Sequence, residues 1–309
     1  MKKVNILATA SVANLVCGFD VLGMALADPA DRMTMSLTDR PGITITHEDG
    51  YGLPLDPEKN VAGVALLALV EDLKEKVGFH VTVNKLIKPG SGLGSSAASA
   101  AGAVAGANAL LGNRFSNEDL VRFAMMGEKL ASGVKHADNI APGLYGGITL
   151  VRSILPLDIV RLSFPPLYVT VVHPQIEVKT SDARQILRNQ VQLKDAIRQW
   201  GNIAGLVTGF LQKDYALIGR SLEDVIVEPV RSILIPGFVD VKQRCMAAGA
   251  LGGGISGSGP SIFMLSIEER TALKVEQEMK EIYSALGIEF RTYVTRICDK
   301  GIKVTEADS

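Results

Sequence analysis

The chain has 309 residues, 47% of them hydrophobic, and a formal net charge of -1 from 32 basic and 33 acidic side chains. That length and apolar content allow one large domain or two ordinary ones around a sizeable core. The near-neutral balance, without runs of like charge, argues against a nucleic-acid-binding or polybasic membrane surface. Cys17, Cys245 and Cys298 are too few and too dispersed for a disulfide framework or a zinc ribbon. No apolar run has the length of a membrane span, and the N-terminus has no secretory leader pattern, so a reducing cytoplasm is the expected compartment.

In chain order, short strands are predicted at Val4–Ala10, Arg32–Leu37 and Ile43–His47. Val61–Lys76 carries apolar residues at helical spacing behind Asn60, a residue suited to cap a helix. Phe79–Asn84 alternates as a strand and runs towards a glycine-rich loop. An Ala-rich helix follows at Ser96–Leu111. A second helix is opened by Ser116-Asn117-Glu118-Asp119 and reaches about Ala131. A strand follows at Gly147–Arg152. Turn-rich composition over Ser153–Pro166 places a boundary there and divides the chain into 1–160 and 161–309. In the second part, strands are predicted at Tyr168–His173, Ser261–Leu265 and Phe290–Ile297. Helices are predicted from Ser181 and at Ala196–Leu211, Tyr215–Val225, Pro236–Ala248 and Glu268–Leu286. Helices and strands alternate throughout, so the fold class is α+β in two domains with mixed or antiparallel sheets.

The most informative segment runs from Pro89 to Ser99. Gly90, Gly92 and Gly94 alternate with Ser91 and Leu93, and lead through Ser95 and Ser96 into Ala97, Ala98 and Ser99. A glycine loop that opens a helix turns unpaired N–H groups outward at the positive end of the helix dipole, which binds phosphate. Gly94 is followed by Ser95 and not by lysine, so this is not a Walker A loop. Ser95 also stands where the third glycine of a dinucleotide fingerprint would fall. Gly252, Gly254 and Gly257 do spell that fingerprint, but no strand-like run leads into Gly252, and Pro260 follows where helix should continue. The segment containing Gly254, Ser256, Gly257, Ser258 and Gly259 therefore reads as a second glycine loop. The competing reading of Pro89–Ser99, a surface turn before a packing helix, ranks lower. Such a turn has no need of three glycines, two serines and a proline in one register.

Together with Ser11–Gly23, these two segments resemble in order and spacing the three motifs of the GHMP small-molecule kinases. The likeness spans most of the chain and is closest to the homoserine kinase branch. Ala13-Asn14 with Gly18-Phe19-Asp20, His136-Ala137-Asp138-Asn139, Thr180 with Arg184, and Glu228-Pro229-Val230-Arg231 resemble that branch. Val16-Cys17 stand where it usually has Gly-Pro. The resemblance implies a first domain like the second domain of ribosomal protein S5, a ferredoxin-like second domain, and an active site in the cleft between them. It implies an ATP-dependent kinase with Mg²⁺, a homodimer, that phosphorylates the side-chain hydroxyl of L-homoserine in threonine biosynthesis. The alternatives are a GHMP kinase for another small alcohol such as mevalonate, and a catalytically silent sensor of nucleotide or amino acid. Thr180, Arg184 and Arg231 speak against the first, Ser96 and Glu128 against the second.

By the same resemblance, Pro89–Ser99 holds ATP with Asn60 near the adenine, and Ser96 and Glu128 bind the metal. On residue type alone, Ser96 and Asn60 also read as helix caps and Glu128 as part of a solvated helix face. A carboxylate is well held by a pair of arginine forks, here Arg184 and Arg231. An ammonium group suits Asp20 and Asn14, with His136 and Thr180 beside them. The competing readings are a turn residue for Asp20, a helix cap for Thr180 and a packed histidine for His136. Phosphoryl transfer through a loose transition state asks more for positioning than for deprotonation. The resemblance to the homoserine kinase branch, which is described as lacking a clear carboxylate base, implies Asn139 near the reacting hydroxyl. Asn139 is therefore expected to position it, and Asp138 to orient His136 or its own loop; a general-base role for Asp138, which fills the corresponding column, stays open. In mevalonate-kinase-like relatives an Asp of a similar pair acts as general base.

Overall fold

Alternating apolar and polar residues from Lys3 to Ala8 give β1 (Lys3–Ala13) a buried face made of Val4, Ile6 and Ala8. In the computed structural model, which describes residues 2–178 and 180–307, β1 pairs antiparallel with β2 (Leu22–Thr38). The predicted strand Arg32–Leu37 is only the far end of β2. Leu22 to Leu26 are buried at every position and so show no alternation to read. The pairing shifts register between Thr9 and Ser11, and beyond the shift the Ser11 N–H turns to the Leu93 carbonyl at 3.1 Å.

β3 (Gly42–His47), α1 (Val61–Leu73) and β4 (Gly78–Asn84) form a β-α-β unit whose strands pair in parallel. Three helices follow: α2 (Ser95–Leu110), α3 (Asn117–Ser132) and α4 (Ile140–Tyr145). The hairpin of β5 (Ile148–Ile154) and β6 (Leu157–Leu162) then fills much of the turn-rich stretch Ser153–Pro166. The first sheet has the order β11-β1-β2-β4-β3, with β5 joined to the start of β2 and β6 beyond it. Its edge member, β11 (Lys303–Glu306), is the last strand of the chain, returned to pair with β1.

The second sheet begins at β7 (Tyr168–Pro174). Helices α5 (Thr180–Gln185), α6 (Leu193–Gln212), α7 (Tyr215–Ser221), α8 (Glu228–Arg231) and α9 (Phe238–Ala247) lead to β8 (Gly252–Ile255) and β9 (Ile262–Ser266). α10 (Glu269–Leu286) and β10 (Phe290–Arg296) complete it in the antiparallel order β10-β7-β9-β8, the ferredoxin-like arrangement. The second glycine segment thus starts as a strand. Gly252, Gly253 and Gly254 carry no side-chain pattern and are paired by backbone alone. Among the described residues no helix is long and apolar enough to cross a membrane.

α2 packs on β1 and β2 and against α1 and α3. Its Ala and Gly residues let it lie unusually near the sheet, since a Cβ on Gly106 would fall 2.4 Å from Ile6 Cδ1. That approach sets how closely the C-terminal half of α2 lies on the sheet. Gly106→Leu is expected to push the helix off the sheet at a cost of about 1–3 kcal/mol. Urea unfolding measures this, and an unchanged midpoint would show that the contact does not set the helix.

Candidate active site

The loop Pro89–Gly94 joins β4 to α2, with φ of 75°, 79° and 68° at Gly90, Gly92 and Gly94. The N-cap of α2 is Gly94, which offers no side-chain cap, so Ser96 lies in the first turn and is not the cap. The N–H groups of Ser95, Ser96 and Ala97 have no acceptor within the helix. The other two glycine-bearing segments clasp the loop. Ser256 Oγ donates to the Gly92 carbonyl at 2.7 Å, and Asn14 Nδ2 donates to the Gly257 carbonyl at 2.9 Å. A Cβ on Gly94 would meet Ser11 Oγ at 2.1 Å, and one on Gly92 would meet the Ser256 and Gly259 carbonyl oxygens at 2.6 Å each. The carbonyl of Ser256 also accepts the Gly259 N–H, and a Cβ on Gly254 would strike Glu228 Oε2 at 2.5 Å.

Pro89, Gly90, Ser91, Gly92, Gly94, Ser95, Ser96, Ser99 and Ser258 line a cleft of about 330 Å³. Leu93, Ala97 and Ala98 are turned into the core. Ser96 Oγ donates to Glu128 Oε2 at 2.7 Å. Glu128, from α3, is buried and not on a solvated face, and burial raises its carboxyl above the usual range. A hydroxyl and a carboxylate beside a helix N-terminus are hard oxygen donors, and they fit a magnesium ion, which takes few protein ligands and keeps phosphate oxygens and water. Asn60 is not in the cleft wall. Its Oδ1 accepts the Ala62 and Gly63 N–H groups at 2.9 and 3.4 Å, and its Nδ2 donates to the Pro54 carbonyl at 2.7 Å. The cap reading of Asn60 describes its contacts, and Leu53 and Val61 are apolar residues of the cleft lining.

Charged groups gather elsewhere along the cleft. Arg184 Nη2 lies 3.3 Å from both Asp20 oxygens and donates to His136 Nε2 at 2.8 Å. Nε2 therefore carries no proton, and the Nδ1–H faces Asp20 Oδ1 at 3.5 Å. Burial and the two arginines hold His136 below its ordinary range, hence neutral. Arg231, buried, donates to the Ala183 carbonyl at 2.8 Å and to the Gly257 carbonyl at 3.2 Å. Its guanidinium lies 4.9 Å from the Phe19 ring and that of Arg184 5.9 Å from it. Asn14 Oδ1 accepts the Asp20 N–H at 3.0 Å, so this amide shapes the first motif. Thr180 opens α5, and its side chain lies outside the described residues, as does Lys179.

Between the two ends, Asn139 Oδ1 accepts from Ser11 Oγ at 2.8 Å. Asp138 is bonded to the backbone N–H groups of itself and Asn139, whereas His136 is oriented by Arg184 and Asp20. Of the two expectations for Asp138, the contacts match the loop and not the histidine. Ser11 and Phe19 belong to the first motif, and residue type alone marks neither for a role. Lys85, on the cleft floor, gave no sequence signal beyond its place at the foot of the loop.

Two family descriptions match the chain: the GHMP kinases N terminal domain over residues 60–147 and GHMP kinases C terminal over residues 206–285. The chain belongs to the GHMP kinase family and is an ATP-dependent small-molecule kinase. Its similar relatives are homoserine kinases. That of Chloroherpeton thalassium is 49% identical over 92% of this chain and 93% of its own, and that of Methanocella arvoryzae 39% identical over 100% and 99%. A crystal structure of homoserine kinase from Cytophaga hutchinsonii superposes with a TM-score of 0.95 at 49% identity, covering 99% of this chain and 98% of that one. An L. major mevalonate kinase, at 15% identity and a TM-score of 0.70 over 94% of each chain, shares the fold alone.

Burial, reinforced by the charges of Asp20 and Glu128, raises the Asp138 carboxyl to about 7. Its value is thus higher folded than unfolded, and the folded state holds the proton more tightly. The stability this contributes is full below about pH 4 and is lost as pH rises to about 7. Asp138→Asn is expected to remove that loss, so the variant gains on wild type between pH 5 and pH 8 in urea unfolding. A gap that does not change with pH would show that Asp138 does not titrate in this window.

Proposed function

We propose that this chain transfers the terminal phosphoryl group of ATP to the side-chain hydroxyl of L-homoserine, giving O-phospho-L-homoserine and ADP. The observation that carries the reading is Arg231. Its buried guanidinium is held by two backbone carbonyls and has no carboxylate partner among the described residues. Burial lowers it only to about 10, so it remains a cation at neutral pH. A buried cation that Asp20, Asp224 and Asp138 reach only at a distance, with no carboxylate in contact, favours an anionic ligand. Arg184 offers a second fork but is paired with Asp20. A zwitterion can exchange that pair: its carboxylate takes the arginines and its ammonium takes Asp20, with Asn14 holding the loop. Mevalonate has a carboxylate and no ammonium. The homoserine kinases at 39–49% identity support the same substrate.

In this reading the backbone of Pro89–Ser99 receives the phosphates, with the base against Leu53 and Val61 and Asn60 behind them as a cap. Ser96 and Glu128 are the residues that hold Mg²⁺, whose charge offsets that of the phosphates. Asn139, fixed by Ser11, holds the acceptor hydroxyl, and Asp138 fixes the loop that carries Asn139. Neutral His136 steadies Arg184, and Thr180 stands at the start of the same helix. Residues 1–160 supply the nucleotide side and 161–309 the two arginines, in a cytoplasmic homodimer. The intact Ser96–Glu128 pair weighs against a silent sensor.

Removing the carboxylate from the substrate leaves Arg231 without its partner, at a cost on the order of 2–5 kcal/mol. 3-Aminopropan-1-ol, which is homoserine without that group, is expected to be a very poor substrate. Arg231→Ala should lose most of the preference between the two. Steady-state kinetics on both compounds measures this, and unchanged homoserine kinetics in Arg231→Ala would take the carboxylate away from that residue.

Glu128→Ala is expected to lower kcat on the order of 100-fold or more while the KM for homoserine changes little, because a bound metal acts on transition-state charge. Near-normal turnover at saturating Mg²⁺ would remove Glu128 from the metal site.

A further inference from the structure

One buried ion pair has no part in the roles above. Asp31 comes from β2, and Lys85 is the first residue past β4. Their side chains are 0% and 2% exposed. Lys85 Nζ has three protons and three acceptors: Asp31 Oδ2, the Ser95 carbonyl at 2.9 Å and Ser99 Oγ at 2.7 Å. Asp31 Oδ1 accepts the N–H groups of Leu86 and Ile87 at 2.8 Å each. Ser95 Oγ closes on the Ile87 carbonyl at 2.8 Å. The pair therefore joins β2, the end of β4, the residues that lead into the glycine loop, and the first turns of α2.

A buried ion pair adds little stability over a well-packed apolar pair of the same size. What this one does is better sought in what it fixes. Between its anchors lies Lys88–Gly94, with three glycines at positive φ and so little stiffness of its own. The Gly92 clasp holds the middle of that stretch from the second domain. Asp31 and Lys85 hold both its ends from below.

We propose that the Asp31–Lys85 pair is a positioning element that keeps the two ends of the glycine loop in register, so that its N–H groups are set for phosphate before nucleotide arrives. This rests on the reading of Pro89–Ser99 as the phosphate cradle. Lys85 has all three donors engaged and acts through Ser95 and Ser99, not on the nucleotide. Its removal weakens the hold on phosphates common to ADP and ATP and leaves the acceptor side alone.

The test is calorimetric titration of the full chain with ADP and with a non-hydrolysable ATP analogue, together with the KM for homoserine. Wild type is compared with Lys85→Met, with the pair Asp31→Asn/Lys85→Met, and with Ser99→Ala. Asparagine at 31 keeps an acceptor for Leu86 and Ile87, so the neutral pair retains the fold if Lys85→Met alone does not. Both Lys85 variants are expected to lose affinity for both nucleotides on the order of 10–100-fold, the usual effect of removing a group that orients contact residues. Ser99→Ala should lose roughly 2–10-fold, one hydrogen bond's worth. The KM for homoserine should not move. Wild-type affinity in the folded pair variant would make the ion pair structural only and overturn the proposal, whatever Ser99→Ala does. A loss confined to the ATP analogue would place Lys85 on the terminal phosphate and overturn it too. If wild type bound neither nucleotide, the cradle reading itself would fall and this inference with it.

Discussion

Gly92 lies against the carbonyls of Ser256 and Gly259, and the Ser256 hydroxyl bonds back to the Gly92 carbonyl. The site depends on this contact, because it joins a loop of the first domain to a turn of the second. Neighbouring atoms extend the join to the charged end of the cleft. The Gly257 carbonyl receives both Asn14 of the first motif and Arg231 of α8. One turn thus touches both the glycine loop, through the Ser256 hydroxyl, and the buried Arg231, through the Gly257 carbonyl.

The electrostatics follow from that arrangement. At one end a helix begins with uncapped N–H groups, which favour phosphate. At the other, Arg231 has no ion-paired carboxylate among the described residues and Arg184 shares Asp20. Between them the Asp138 carboxyl is raised to about 7, so burial reduces negative charge where anionic groups would meet. Asn139, held by Ser11, puts a neutral polar group at the middle of the cleft. That division suits a reaction that depends on holding two charged substrates in line more than on removing a proton.

Much of this was legible in the sequence, for physical reasons. The glycine loop was readable because three alternate glycines before an Ala-rich helix have few other uses. The capping box at Ser116 and Asp119 marked the start of α3 correctly. Elsewhere the code was silent. Leu22 to Leu26 of β2 are buried at every position, β8 is a run of glycines, and β11 is a short edge strand. Asp31 and Lys85 are ordinary residues until the fold pairs them. The first motif hides a further cost: Val16, where the branch usually has glycine, sits at φ 66°, next to Leu15 at φ 40°. A left-handed turn costs roughly 1–2 kcal/mol for each non-glycine residue, and Asn14, at φ 74° and bonded to the Gly257 carbonyl, shares it.

The central claim is that one cleft brings ATP and a zwitterionic amino alcohol together for direct transfer. ADP release from the purified chain with MgATP, followed with no acceptor, with L-homoserine and with mevalonate, tests it most directly. The account predicts steady release that requires L-homoserine and matches phosphorylated product one for one, with mevalonate no better than no acceptor. Release that is indifferent to homoserine, or that is greater with mevalonate, would contradict it.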